Sequence, residues 1–260
     1  MRKLTVGSTL GSALVMALAL AGSLGSAAAA EIFVMSAGAA KSGVQPLIES
    51  FEKASGHKVS VSFGTMGLIQ EKLGKGERAD VLIVANEVAD ELQKKNVIVG
   101  ESRRAIAKVG IGVAVNEKSA GNPDISTPEA FKQTLLNARS IVYIDPTKGT
   151  SGKHLAMVFD KLGITAQVNA KARLGEGGYI VEPVGKGEVE LGLHQISEIL
   201  PVKGVRLVGP LPEALQKWTT YSAALTPSAG APDAARELIA YLAGAQARGV
   251  FAAKGFVAVD

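Results

Sequence analysis

Three short loops of the 260-residue chain combine small residues with hydroxyl groups, and each lies between an apolar run and a helical pattern: residues 36–42, 64–67 and 147–153. At the N-terminus of a helix, several backbone N–H groups have no partner within the helix, and the macrodipole favours negative charge. Small side chains let a ligand oxygen approach these donors. Helix starts of this kind that converge on one point would form an anion-binding site.

Each loop alone also fits a purely structural role, because serine and threonine commonly cap helices in any α/β protein. Residues 149–153, Gly-Thr-Ser-Gly-Lys, depart from a phosphate-binding loop. Thr147 stands where that motif needs its first glycine, and His154 follows the lysine in place of a hydroxyl residue. The segment does not match a nucleophile elbow either, since Gly152 follows Ser151 directly.

Other catalytic and metal-binding patterns are missing from the sequence. The chain has no cysteine, which excludes disulfides and thiolate metal sites. Its histidines, His57, His154 and His194, show no metal-ligand spacing, although His194, which follows a predicted strand, could face a cleft. The sequence therefore predicts no catalytic residue set, no protein-ligated metal and no cofactor.

Apolar runs that favour strands alternate with helical stripes through most of the chain. The predicted strands lie at residues 32–35, 59–63, 81–84, 111–115, 141–144, 189–193 and 205–208. Helical stripes with apolar residues at i, i+3, i+4 and i+7 begin at Val44, Leu155 and Ala235. This alternation predicts an α/β fold with mainly parallel sheets.

The first thirty residues are typical of a secretory signal peptide. Arg2 and Lys3 precede an apolar run, and small residues lead to Ala30. The run is too short for a membrane anchor, which needs about 20 apolar residues. We expect cleavage after Ala30, which would leave 230 of the 260 residues as a soluble secreted protein beginning at Glu31.

The charge balance argues against a nucleic-acid partner. Loss of Arg2 and Lys3 lowers the net charge from +4 to +2, because residues 1–30 contain no acidic residue. The remaining chain has no run of basic residues of the kind that binds nucleic acids.

Four longer segments carry a family resemblance through their order and spacing. They are residues 34–51, the sequence VSVSFGTMG (59–67) followed by GERADVLIVA (76–85), residues 145–163, and GKGEVELG (185–192). In this order they resemble the molybdate-type periplasmic binding proteins of the type II solute-binding fold. The resemblance implies two α/β lobes joined by two crossing strands, with a ligand cleft between them. Lobe I would comprise residues 31–112 and 210–260, and lobe II residues 113–209.

The resemblance also implies which residues bind the ligand. Members of the family enclose a tetrahedral oxyanion with backbone amides and hydroxyl groups. Carried over by position, the contacts fall on Ser36, Ala39, Lys41, Ser42, Thr65, Met66, Thr150, Ser151, Tyr179 and Gln195.

The chain departs from the family pattern in three places. Ala39 stands where the first loop of molybdate binders has a serine, the second loop has Thr65 and Met66 where theirs is rich in serine, and Gln195 replaces a tyrosine. Loss of a hydroxyl that pairs with a ligand costs about 1–3 kcal/mol, which is enough to change specificity. Lys41 would suit a carboxylate as well as another oxyanion.

The resemblance implies a binding protein that performs no chemistry. It would be a monomer that carries a small anion, such as molybdate or tungstate, to an ABC permease in the inner membrane. The alternatives are a binding protein for a small organic acid, a secreted enzyme that acts on an anion in the same cleft, and a sensor subunit of the same fold.

Overall fold

The computed structural model describes residue 1 and residues 29–259. The predicted signal peptide therefore lies outside the described residues, except at positions 1, 29 and 30. From residue 29 to residue 259, no helix combines the length and apolar character that a membrane crossing requires.

The described residues form ten strands and ten helices. In chain order the strands are β1 (Glu31–Ala37), β2 (Lys58–Gly64), β3 (Val81–Ala85), β4 (Arg104–Val109), β5 (Ile111–Asn116), β6 (Ile141–Ile144), β7 (Ala172–Gly175), β8 (Leu191–Gln195), β9 (Val205–Pro210) and β10 (Thr219–Leu225). The helices are α1 (Lys41–Ser55), α2 (Met66–Gly74), α3 (Asn86–Lys94), α4 (Pro128–Asn137), α5 (Thr150–Lys161), α6 (Thr165–Asn169), α7 (Glu182–Gly185), α8 (Ile196–Ile199), α9 (Pro232–Ala243) and α10 (Ala245–Ala252). Short 3-10 turns lie at Gly38–Ala40, Gly100–Ser102 and Glu213–Leu215.

The strands form two five-stranded sheets of the same design. The first has the order β2-β1-β3-β10-β4 and the second the order β7-β6-β8-β5-β9. Each sheet has two parallel and two antiparallel pairings. The expected two-lobed α/β architecture is confirmed, with mixed sheets where mainly parallel ones were predicted. The antiparallel pairings arise where the chain crosses between sheets without the helical connection that parallel neighbours require.

Each sheet has its own apolar core, built from the predicted stripes. Phe51 of α1 and Leu238 of α9 are buried with Leu82 of β3 in the core of the first sheet. Phe159 of α5 and Leu193 of β8 are buried together in the core of the second sheet. The two cores are the reason that the chain forms two lobes, since each sheet buries its apolar faces against its own helices.

The two crossings between the lobes are tied together by one side chain. The chain passes from β4 to β5 through Gly110 and returns from β9 to β10 through residues 211–218. The Gln216 amide binds both backbone groups of Ile111: its oxygen accepts from the Ile111 N–H at 2.9 Å, and its nitrogen donates to the Ile111 carbonyl at 2.8 Å. These two hydrogen bonds therefore hold the two crossings side by side.

The carboxylate of Asp80, just before β3, joins distant parts of the first lobe. One oxygen accepts from the backbone N–H of Phe33 at 2.7 Å, and the other accepts from that of Gly230 at 2.7 Å. Asp80 is 5% exposed, so both bonds are shielded from water. The carboxylate thus links β1 to the loop that leads into α9.

We expect the Asp80→Ala substitution to lower the free energy of unfolding by about 3 kcal/mol, because hydrogen bonds to charged groups contribute about 1.5–3 kcal/mol each. Urea unfolding monitored by circular dichroism measures this loss. Asp80→Asn, which keeps one acceptor oxygen, should lose about half as much. An alanine variant as stable as the wild type would contradict the linking role.

Candidate ligand-binding cleft

A cavity of about 220 Å³ lies between the two lobes. The first lobe contributes the ends of β1 and β2, the start of α2 and one residue of β10. The second lobe contributes the end of β6, the start of α5, the loop at residues 177–179 and the junction of β8 with α8. The carboxyl ends of strands in both sheets thus meet at one place, where ligands of α/β proteins usually bind.

The lobes touch across this cavity. The N–H of Gly67 lies 3.4 Å from the carbonyl of Lys148, and the Ser197 hydroxyl donates to the Ala39 carbonyl at 2.7 Å. Both pairs join a residue of the first lobe to a residue of the second. The structure therefore shows the lobes in a closed arrangement.

Eight of the ten predicted ligand contacts line the cavity: Ala39, Lys41, Thr65, Met66, Thr150, Ser151, Tyr179 and Gln195. Ser36 and Ser42 do not. Ser36 is fully buried in β1, where its hydroxyl lies 3.3 Å from the Ala37 carbonyl. Ser42 lines a neighbouring groove on the outer side of Lys41, and its hydroxyl oxygen is buried there. Strand alternation and helix periodicity turn these two side chains away from the cleft.

Of the helices that begin at the cavity, α5 offers the clearest anion site. Its N-cap, Gly149, has no side chain to occupy the first N–H groups, whereas the Thr65 hydroxyl at the start of α2 accepts from the Leu68 N–H at 3.3 Å. The capping role weighed for these loops is therefore correct for Thr65. A Cβ atom on Gly152 would lie 2.1 Å from the Ile144 carbonyl, so glycine lets α5 start directly against β6.

Lys41 brings a positive charge to the cavity wall. Its ammonium nitrogen lies 5.6 Å from the centre of the Phe63 ring and 5.9 Å from that of Tyr179. Cations are attracted to aromatic faces at such distances. Because Phe63 and Tyr179 belong to different lobes, the lysine is held where the lobes meet.

A buried ion pair, His194 with Glu198, forms another part of the wall. The imidazole Nε2 lies 3.2 Å from Glu198 Oε2 and 3.0 Å from the carbonyl of Gly178, and the residues are 2% and 6% exposed. Burial opposes a charge on the imidazole, but the Glu198 carboxylate and the two hydrogen bonds outweigh it and raise the pKa of His194 above its ordinary value.

Two further polar side chains complete the wall. Burial, reinforced by the charge of Glu198, raises the pKa of the Tyr221 hydroxyl, so the phenol keeps its proton and can donate it in a hydrogen bond. Gln195 is 2% exposed, and both its amide nitrogen and its amide oxygen are buried without a hydrogen-bond partner in the described part of the chain. No group in the described part of the protein therefore pairs with the amide of this cavity residue.

Sequence patterns indicate His194 as a possible cleft residue but give no sign of Glu198 or Tyr221. The His194–Glu198 spacing of four residues spans the end of β8 and the start of α8, so no regular helix or strand pattern marks it. Tyr221 lies on β10, a strand that the apolar pattern did not predict.

Comparison with known proteins identifies the family of this chain. The family model described as bacterial extracellular solute-binding protein matches residues 32–257. The chain belongs to this family. The match covers both lobes and both crossings.

Relatives extend this placement. The chain is 34% identical over 216 residues to a protein of Pseudomonas sp. named aconitate isomerase, with 81% of each chain covered. It is 31% identical over 258 residues to the molybdate-binding protein ModA of Azotobacter vinelandii, with 94% of this chain and 97% of the other covered. A solved periplasmic molybdate-binding protein of Azotobacter vinelandii shares the fold, with a TM-score of 0.74 at 18% identity over 88% of this chain and 100% of the other. The predicted resemblance to molybdate-type binding proteins is confirmed.

The His194–Glu198 pair predicts a pH dependence of stability. With a raised pKa, the folded protein binds more protons than the unfolded chain at pH values above the ordinary 6.5 of histidine. The free energy of unfolding should therefore be highest below that value and fall as the pH rises through the folded-state pKa. One titrating group can produce a slope of at most about 1.4 kcal/mol for each pH unit.

Urea unfolding at a series of pH values from below 6.5 upward tests this expectation. The His194→Gln variant, in which the other ionisable groups are unchanged, should lack this part of the decline. An equally steep decline in the variant would show that another group causes it.

Proposed function

We propose that this member of the family is the extracytoplasmic component of an ABC importer and encloses a small anion between its two lobes. The donors at the start of α5, the ammonium of Lys41 and the hydroxyl of Tyr221 face one cavity and together favour negative charge. The contacts across the cavity support a ligand that is enclosed when the lobes close.

We further propose that the ligand is a small polycarboxylic acid rather than molybdate or tungstate. The Gln195 amide favours a polycarboxylic acid, because its nitrogen donates and its oxygen accepts hydrogen bonds, and both atoms are buried and unpaired in the described part of the chain. A ligand with carboxylate oxygens and a hydroxyl or carboxyl hydrogen pairs with both atoms. A fully deprotonated metal oxyanion pairs with the nitrogen alone, and an unpaired buried polar group costs about 1–3 kcal/mol.

We also propose the remaining features that the sequence and the family resemblance imply. It is exported by a cleaved signal peptide at residues 1–30, acts as a monomer in the periplasm and delivers its ligand to an inner-membrane permease. Its lobes comprise residues 31–112 with 210–260, and residues 113–209. No nucleic acid takes part.

Thermal unfolding in the presence of candidate anions tests the proposal. A ligand at 100 times its dissociation constant stabilises the folded protein by about 2.7 kcal/mol, which raises the melting temperature measurably. We expect a rise with citrate, whose hydroxyl supplies a hydrogen for the Gln195 oxygen, or with tricarballylate or cis-aconitate bound with one carboxyl protonated, and a smaller rise, or none, with molybdate.

The Ser151→Ala variant links that binding to the cleft, and Ser119→Ala, at an exposed position on the second lobe, is its matched control. Ser151→Ala should weaken binding of the best anion and leave the unliganded melting temperature nearly unchanged. If molybdate stabilised the protein more than every carboxylate, the ligand would be a metal oxyanion and the proposal of a polycarboxylic acid would be wrong.

Isomerisation of the bound acid is the second candidate function. It is favoured by the 34% identity to the aconitate isomerase of Pseudomonas sp. and by the titratable side chains in the cavity wall. Interconversion of cis- and trans-aconitate by a shift of the double bond requires a proton to leave one carbon and a proton to join another. Titratable side chains can catalyse both transfers as general base and general acid.

Proton NMR of cis-aconitate incubated with the purified protein measures this activity directly. We expect trans-aconitate to accumulate until equilibrium if the second candidate is correct. Unchanged substrate, at concentrations where calorimetry shows it bound, would leave binding as the function.

A further inference from the structure

The carboxylate of Glu198 is an unfavourable charge in a cavity whose other polar groups suit an anion. Oε2 contacts His194, while a methyl group on Gly38 of the opposite lobe would lie 3.4 Å from Oε1. Gly38 and Glu198 both line the cavity, so Oε1 faces the space between the lobes. A negative group there repels a bound anion and lowers affinity. A site that only held an anion would gain nothing from it.

His194 is arranged to support that carboxylate. The two neighbours of its Nε2, the Glu198 carboxylate and the Gly178 carbonyl, are both acceptors, so Nε2 carries a hydrogen. The imidazole therefore holds one oxygen of Glu198 in place and leaves the other directed at the cavity. The Glu198 carboxylate and the two hydrogen bonds raise the pKa of His194, which favours the charged imidazole beside the carboxylate.

We propose that Glu198 is a proton-transfer residue for the enclosed ligand and that His194 is its positioning residue. The inference rests on the proposed enclosure of a small polycarboxylic acid and goes beyond binding. Oε1 would take a proton from a carbon next to a ligand carboxylate, so that an O–H bond forms as a C–H bond breaks.

The electrons and atoms of this step balance within the site. The electron pair of the broken C–H bond delocalises into the adjacent carboxylate or carbon–carbon double bond. Return of the proton to the same carbon exchanges its hydrogen, and return to the far carbon of an allylic system moves the double bond. Neither outcome needs an oxidant, a reductant or a second reactant.

Other groups of the cavity suit the charge that develops during such a step. The ammonium of Lys41, the N–H groups at the start of α5 and the protonated hydroxyl of Tyr221 can each stabilise negative charge on the ligand oxygens. Donors fixed by the fold before the reaction are the most effective form of such stabilisation. Closure of the lobes would exclude the water that competes with them.

Hydrogen exchange in deuterium oxide tests the inference. Citrate, tricarballylate and cis-aconitate are first assayed for binding by calorimetry, and their C–H signals are then followed by proton NMR. We expect the wild type to accelerate exchange in at least one bound acid. Glu198→Gln should slow that exchange by about 100-fold or more, in keeping with the loss of a general base.

The same variant should bind the acid at least as tightly as the wild type, because the repelling charge is gone. Glu213→Gln removes an exposed carboxylate of the second crossing and is the matched control, with exchange and binding unchanged. His194→Gln, which can still donate to Glu198, should retain part of the rate that His194→Ala loses, at equal affinity. A purely structural histidine would alter affinity and rate together.

The outcomes separate this inference from the proposed function. If no acid bound to the wild type, the proposed function would fall, and the inference with it. Binding without exchange in the wild type, or undiminished exchange in Glu198→Gln, would overturn the inference and leave the binding proposal intact. Should Glu198→Gln not fold, Glu198→Asp keeps the charge on a shorter side chain. A folded aspartate variant with reduced exchange supports the inference, and one with the full rate contradicts it.

Discussion

The chemistry of the cleft depends on the two lobes standing within hydrogen-bonding distance of each other. The polar groups of the cavity come from both lobes: Lys41 of the first lobe lies near the Tyr179 ring of the second, and Glu198 of the second lobe lies opposite Gly38 of the first. The hydrogen bond from Ser197 to Ala39 lies next to both pairs and joins the lobes there. The approach of the lobes therefore determines both the enclosure of a ligand and the environment of the buried charges.

The tie between the two crossings makes this closed arrangement reproducible. Because Gln216 binds both backbone groups of Ile111, the lobes can rotate about the paired crossings with little freedom to slide. Rotation about a fixed hinge brings the same residues together at each closure. Precise placement of donors matters more for proton transfer than for binding, since transfer requires near-contact of the reacting atoms. A tied hinge is therefore compatible with either function.

Local patterns in the sequence predicted seven of the ten strands in the described part of the chain, and the family resemblance supplied most of the cavity residues. The stripes of α1, α5 and α9 and the apolar run of β3 depend on burial by near neighbours, so they are visible in short windows. Six of the eight predicted contacts that line the cavity lie in the three small-residue loops, because helix starts depend on local composition. Ser36 was predicted to contact the ligand but does not line the cavity, since a hydroxyl at the end of a strand can face either side of the sheet. β10 was missed because its Thr, Ser and Ala residues pack between two strands without a strongly apolar pattern.

The charged part of the cleft could not be predicted because it depends on contacts between distant segments. Nothing in the sequence around Glu198 shows that Gly38, from the opposite lobe, leaves its Oε1 open to the cavity. The same carboxylate explains why family membership alone does not decide the function. With neutral donors only, closure would hold an anion most tightly and release it unchanged. A carboxylate on the cavity wall lowers the affinity for an anion and supplies a general base. A single side chain can therefore change the function of this fold from binding an anion to catalysing its reaction.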